Sequence, residues 1–132
     1  MSYVALISLM LVCAPLSCGR DEVPRSPREV VREVVTRSVK HQSAMLDILE
    51  QHQREPEVAI AMLEAYVRDN SAEIELLARQ RPLLEHEQAA FAEAWSANAQ
   101  TLFERRRRLD ETAADLMERA EVTRALSRFD AL

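Results

Sequence analysis

PLLEHEQAAFAEAWSANAQTLFERRRRLDETAADLMERAEVTRALSRFDAL, residues 82–132, decides the fold class. After Pro82 the stretch holds neither proline nor glycine, and Ala, Leu, Glu, Arg and Gln, all strong helix formers, fill most of it. On a wheel of 3.6 residues per turn, Leu84, Phe91, Trp95, Leu102, Leu109, Ala113, Leu116 and Ala120 fall within about 60° of azimuth. That phase coherence predicts a single helix of roughly 40 residues, about 60 Å long.

Upstream, two further helical segments are punctuated by proline. Ser26-Pro27-Arg28-Glu29 reads as a helix start, with Ser26 as cap, Pro27 in the first helical position and Glu29 completing a capping box. From Pro27 to about Gln53, Val31, Val34, Val35, Val39, Met45, Leu46 and Leu49 share one apolar arc. Pro56 restarts the chain, and Ile60, Leu63, Val67, Ile74 and Leu77 recur at steps of three and four. Asn70 interrupts that seam. It either sits buried in one continuous helix and fixes register, or opens a second capping box, Asn70-Ser71-Ala72-Glu73, that divides 57–81 in two.

The 132 residues contain one glycine, Gly19, and 48% hydrophobic against 30% charged residues, a globular composition. Tight hairpins draw on Gly or Asn-Gly for positive φ, so a sheet-rich fold has little to build from. The class is therefore all-α: a three-helix antiparallel bundle, or an elongated helical hairpin, with a long C-terminal helix. That third helix outruns its partners, so it must bend back, protrude or pair with another chain. The net charge of −5, from 22 acids and 17 bases, lacks the basic excess of a nucleic-acid binder, and no nucleic-acid partner is expected.

Residues 1–19 carry no charged side chain, and Tyr3 to Ala14 is nearly all apolar. A bilayer-spanning helix needs roughly 20 apolar residues and Pro15 cuts this run short; a core helix would show a polar face. An export segment of about 7–15 apolar residues followed by small ones fits best. Ala14-Pro15-Leu16-Ser17-Cys18-Gly19 resembles the lipobox that ends a bacterial lipoprotein signal peptide. Ser17 before the cysteine and Gly19 after it match that pattern well. Pro15 stands where the pattern prefers Leu, Leu16 falls one position late, and no Lys or Arg precedes the apolar run.

The resemblance implies a signal peptide at 1–17, lipid attachment at Cys18 with a tether through residue 25, and a helical domain at 26–132. It also implies a place in the bacterial cell envelope, at the outer membrane or the periplasmic side of the inner membrane. Arg20, Arg25 and Arg28 argue the other way for an uncleaved segment, since they would hold the chain on the cytoplasmic side.

No cofactor, metal or enzyme signature is legible. Downstream of Gly19 no Gly-rich phosphate loop or Gly-x-Ser-x-Gly elbow can exist, and no Glu-x-x-His pair occurs. His41 and His52 lie about 16 Å apart along a helix and cannot share one metal; structural or surface roles suit them and His86. Arg105 to Arg108 point around about 300° and read as a solvated collar with aliphatic stems over the seam. Phe91, Trp95, Leu102, Leu109 and Leu116 form the possible interface for a protein partner or a homo-oligomer, because an overhanging helix would leave them facing water. The chain thus reads as a membrane-tethered interaction or structural protein. A periplasmic chaperone or stress and metal sensor is the alternative, as is a cytosolic coiled-coil adaptor if residues 1–19 stay in place.

Overall fold

The computed structural model describes residues 25–130; the signal segment, Cys18 and the tether through residue 24 lie outside them. Among the described residues the chain forms seven helical segments: α1 (Pro27–Gln51), α2 (Pro56–Asp69), α3 (Ser71–Ala78), α4 (Arg81–His86), α5 (Gln88–Thr112), α6 (Ala114–Met117) and α7 (Ala120–Asp130). It is an all-α bundle, with the long helix α5 near the C-terminus.

The start of α1 follows from its four opening residues. Ser26 Oγ accepts from the Glu29 N–H at 3.3 Å, and the Glu29 carboxylate accepts from the Ser26 N–H at 3.2 Å. Val31, Val34, Val35, Met45, Leu46 and Leu49 then bury one face of α1, while Val39 is half-buried against the same core. α1 is the central helix: α5 packs along it most extensively, and α2, α3, α4 and α7 also touch it.

At Asn70 the break wins. α2 ends at Asp69 and α3 begins at Ser71, but no capping box forms. Asn70 Nδ2 instead donates back to the Tyr66 carbonyl at 2.8 Å, joining the Asn70 backbone N–H, which donates to the same oxygen at 3.0 Å. Glu73, the residue that would have closed the box, is turned toward His41 on α1. Ile60, Leu63, Ile74 and Leu77 stay buried through the break.

The single helix of roughly 40 residues expected after Pro82 does not form. The chain breaks at Glu87 (φ −106°, ψ 49°), at Ala113 (φ −140°, ψ 44°) and again around Glu118–Arg119. Phase explains the later breaks. Leu102, Leu109, Ala113 and Leu116 lie on one face, whereas Val122, Ala125, Leu126 and Phe129 would sit about 180° away on the same straight helix. No straight helix can bury both sets on one side. Turning at 113–119 lets α7 fold back onto α1, α2 and α3 with all four of those side chains buried. The turn is tied down at Thr112, whose single hydroxyl proton lies between two acceptors, the Arg108 carbonyl at 2.8 Å and Gln53 Oε1 at 3.0 Å. Arg119 reaches Glu57 across the bundle at 3.2 Å. The C-terminal end bends back; it does not overhang.

Candidate functional site

Two polar constellations and one aromatic edge stand out from this frame. The first grows from α1, whose buried arc contains three polar residues, Ser38, His41 and Gln42. Ser38 is satisfied within its own helix, donating to the Val34 carbonyl at 2.8 Å. His41, with its side chain 4% exposed, joins three helices. Its Nδ1 lies 2.6 Å from the Tyr66 hydroxyl on α2, and its Nε2 lies 3.1 Å from Glu73 Oε2 on α3.

One assignment of protons satisfies the whole chain: Tyr66 O–H donates to Nδ1, and Nε2–H donates to the Glu73 carboxylate. Burial, and then the charge of Glu73, push the Tyr66 phenol above its ordinary range, which keeps it protonated as the donor. The Phe129 ring stacks over the imidazole, 6.1 Å between centroids and 17° between planes. Both ring nitrogens are thus taken by the protein and one face is covered. Chemically the arrangement is a lock between α1, α2, α3 and α7, with no nitrogen free for a substrate. His52 is half-buried at the C-cap of α1 and His86 is exposed in the last turn of α4. Among the described residues, no group of three or more potential metal ligands comes together.

The second constellation corrects the reading of Arg105 to Arg108 as a solvated collar. Arg105 is only 17% exposed and reaches across to α1. Its Nε and Nη2 bind the two Glu50 oxygens at 2.8 and 3.0 Å, Nη1 donates to Ser43 Oγ at 2.8 Å, and Nη2 also binds Asp47. The bond to Glu50 leads the effects that raise the guanidinium's pKa, so it stays charged at any working pH. Arg107 behaves as a collar residue, paired with Glu111 at 2.8 Å within its own helix and exposed. Arg106 pairs with Asp130 at the end of α7, at 3.1 Å. Sequence spacing showed that the four arginines diverge, but not which one would meet the carboxylates of α1.

The expected interface residues separate into two groups. Leu102, Leu109 and Leu116 are buried in the core of this same chain, where α5 lies along α1 and α6 turns the chain back toward α7. Phe91 and Trp95 are partly buried against the core and stack on each other, 6.2 Å between centroids and 7° between planes. Beside them Phe103, which the sequence reading passed over, is 68% exposed. The signal that finds it is its spacing of eight residues from Trp95, which puts both near one edge of the same helix.

Two clefts flank α7. The larger, about 360 Å³ between α2–α3 and α7, is walled by Glu64, Arg68, Glu75, Glu121, Arg124 and Arg128, three cations against three anions. The other, about 340 Å³, lies between α5 and the end of α7 and is lined by Trp95 and Phe103 among others. Comparisons with protein-family models, with curated proteins and with solved structures found no match.

Proposed function

We propose that this chain is a membrane-tethered helical interaction protein of the bacterial envelope, anchored by a lipid on Cys18. The observation that carries the reading is Ser17-Cys18-Gly19 at the end of an uncharged apolar run, followed within a few residues by a helical domain with its own N-terminal cap at Ser26. Among the described residues no helix is long and apolar enough to cross a membrane, so attachment in this reading falls to the segment ahead of the bundle. The interaction half of the reading is supported by the aromatic edge of α5. Phe103 stands largely exposed on a rigid helix, with the partly buried Phe91 and Trp95 on the same helix, the kind of surface that anchors a partner.

Intact mass of the protein recovered from bacterial membranes, before and after Cys18→Ala, tests the reading. The expected result is a mature chain beginning at Cys18 with added lipid mass, lost in the variant. An unmodified full-length mass would overturn it and return the bundle to the cytoplasm or to an uncleaved anchor.

A further inference from the structure

The cleft between α5 and the C-terminal end of α7 contains an unexplained polar group. Gln42 of α1 lines it, is only 9% exposed, and its Nε2 has no hydrogen-bond partner within the protein. A buried amide N–H without an acceptor costs stability and is uncommon in folded proteins. A leucine in that place would avoid the cost, as the apolar residues at most of the other buried positions along this face of α1 do.

The remaining lining has the character of a small-molecule site. Trp95, Leu102 and Phe103 of α5 and Phe129 of α7 supply apolar and aromatic walls, and Arg106 stands at the rim. Arg106 gives one N–H to Asp130 at 3.1 Å and retains further donors, because a guanidinium has five. The volume of about 340 Å³ is in the range of ligand pockets, roughly 300–1,000 Å³. The terminal torsion of a glutamine is broad, so its amide can turn into the cleft at little cost.

We infer that this cleft binds one small amphiphile, an apolar aromatic or acyl body carrying a single anionic oxygen head. The body lies against Trp95, Phe103 and Phe129, and the head takes the Gln42 N–H and a free donor of Arg106. The site lies wholly within the helical bundle, so its occupancy stands or falls independently of the lipid on Cys18.

Trp95 is the only tryptophan of the chain, and its fluorescence therefore reports on this cleft directly. The probe is anilinonaphthalene sulfonate, titrated into the full chain, with decanoate as competitor. Saturable binding at one site is expected, read as a Trp95 response and reversed by decanoate. Gln42→Leu should weaken it about tenfold, the worth of one hydrogen bond to a charged group, while the melting temperature holds or rises. Phe103→Ser, at an exposed position that folding does not need, should weaken it as well. Affinity unchanged or improved in Gln42→Leu would mean simple apolar adhesion and overturn the proposal. So would binding without a Trp95 response, or no binding by either probe.

Discussion

Replacing Arg105 with methionine isolates the clamp between α5 and α1. Methionine keeps an unbranched apolar stem of similar reach and removes the guanidinium, so packing along the seam is largely retained. What is lost is the two-point bond to Glu50, the bond to Ser43 and the contact with Asp47. A shielded hydrogen bond to a charged group contributes about 1.5–3 kcal/mol. Asp47 and Glu50 are themselves more than a third exposed, however, and solvent screens much of that. A net loss of about 2 kcal/mol for the whole clamp is expected, which for a domain of this size lowers the melting temperature by roughly 10 °C. Arg107→Ala, two positions away, removes only an exposed pair within one helix and should cost under about 0.5 kcal/mol. Urea and thermal unfolding followed by far-ultraviolet circular dichroism measure both, at low and at high salt. The Arg105 penalty should shrink as salt rises, because its partners face water. Arg105→Lys should recover only part of it, since an ammonium cannot grip both Glu50 oxygens as a fork does. If Arg105→Met and Arg107→Ala proved equally mild, the clamp would be a surface contact and the reasoning would fail.

Three further outcomes are expected. Leu102→Asp should cost about 4 kcal/mol or more by placing an unpaired charge in the core, and an unchanged melting curve would remove Leu102 from it. Phe129→Ala should cost about 3–5 kcal/mol, since the ring is buried beside His41; a negligible loss would mean that α7 does not dock. Tyr66→Phe should cost about 1 kcal/mol at neutral pH by removing the bond to His41. The folded protein raises the phenol's pKa, so its contribution is complete below the ordinary tyrosine range and is lost as pH climbs through the raised value. Wild-type stability should therefore fall more steeply than that of Tyr66→Phe on the alkaline side. Parallel pH profiles would show that the phenol is not held as described.

Helix content was legible because composition and spacing act locally. Ser26, Pro27 and Glu29 specify a helix start without help from the rest of the chain, and the Val and Leu arc of α1 needs only a partner of any kind. Interruptions are a different matter, since each depends on a competition between a local helix and a distant contact. Nothing in Glu111-Thr112-Ala113-Ala114 breaks a helix by propensity, and Ala113 has no cap to offer. The relevant signal lay further on, in the reversal of apolar phase between Leu116 and Val122. A continuous helix across that point would bury one stripe and leave Val122, Leu126 and Phe129 in water. At about 1.5–3 kcal/mol for each fully buried large apolar side chain, docking α7 outweighs the few backbone hydrogen bonds surrendered at the turn.

The same competition separates the four consecutive arginines. Identical in type, they differ only in azimuth, and azimuth acquires meaning when α1 supplies carboxylates at Asp47 and Glu50, one helical turn apart. Those two acids could be read in sequence, but not the register that sets Arg105 between them. His41 shows the reverse case. Its neighbours on α1 mark the position as buried, and a buried imidazole requires partners for both nitrogens. Tyr66 and Glu73 answer that need from opposite sides of the Asn70 break. A single rigid helix would place them about 10 Å apart along its axis. Bending at Asn70 lets both converge on one ring, so the break in the seam and the buried histidine are two parts of one structural solution.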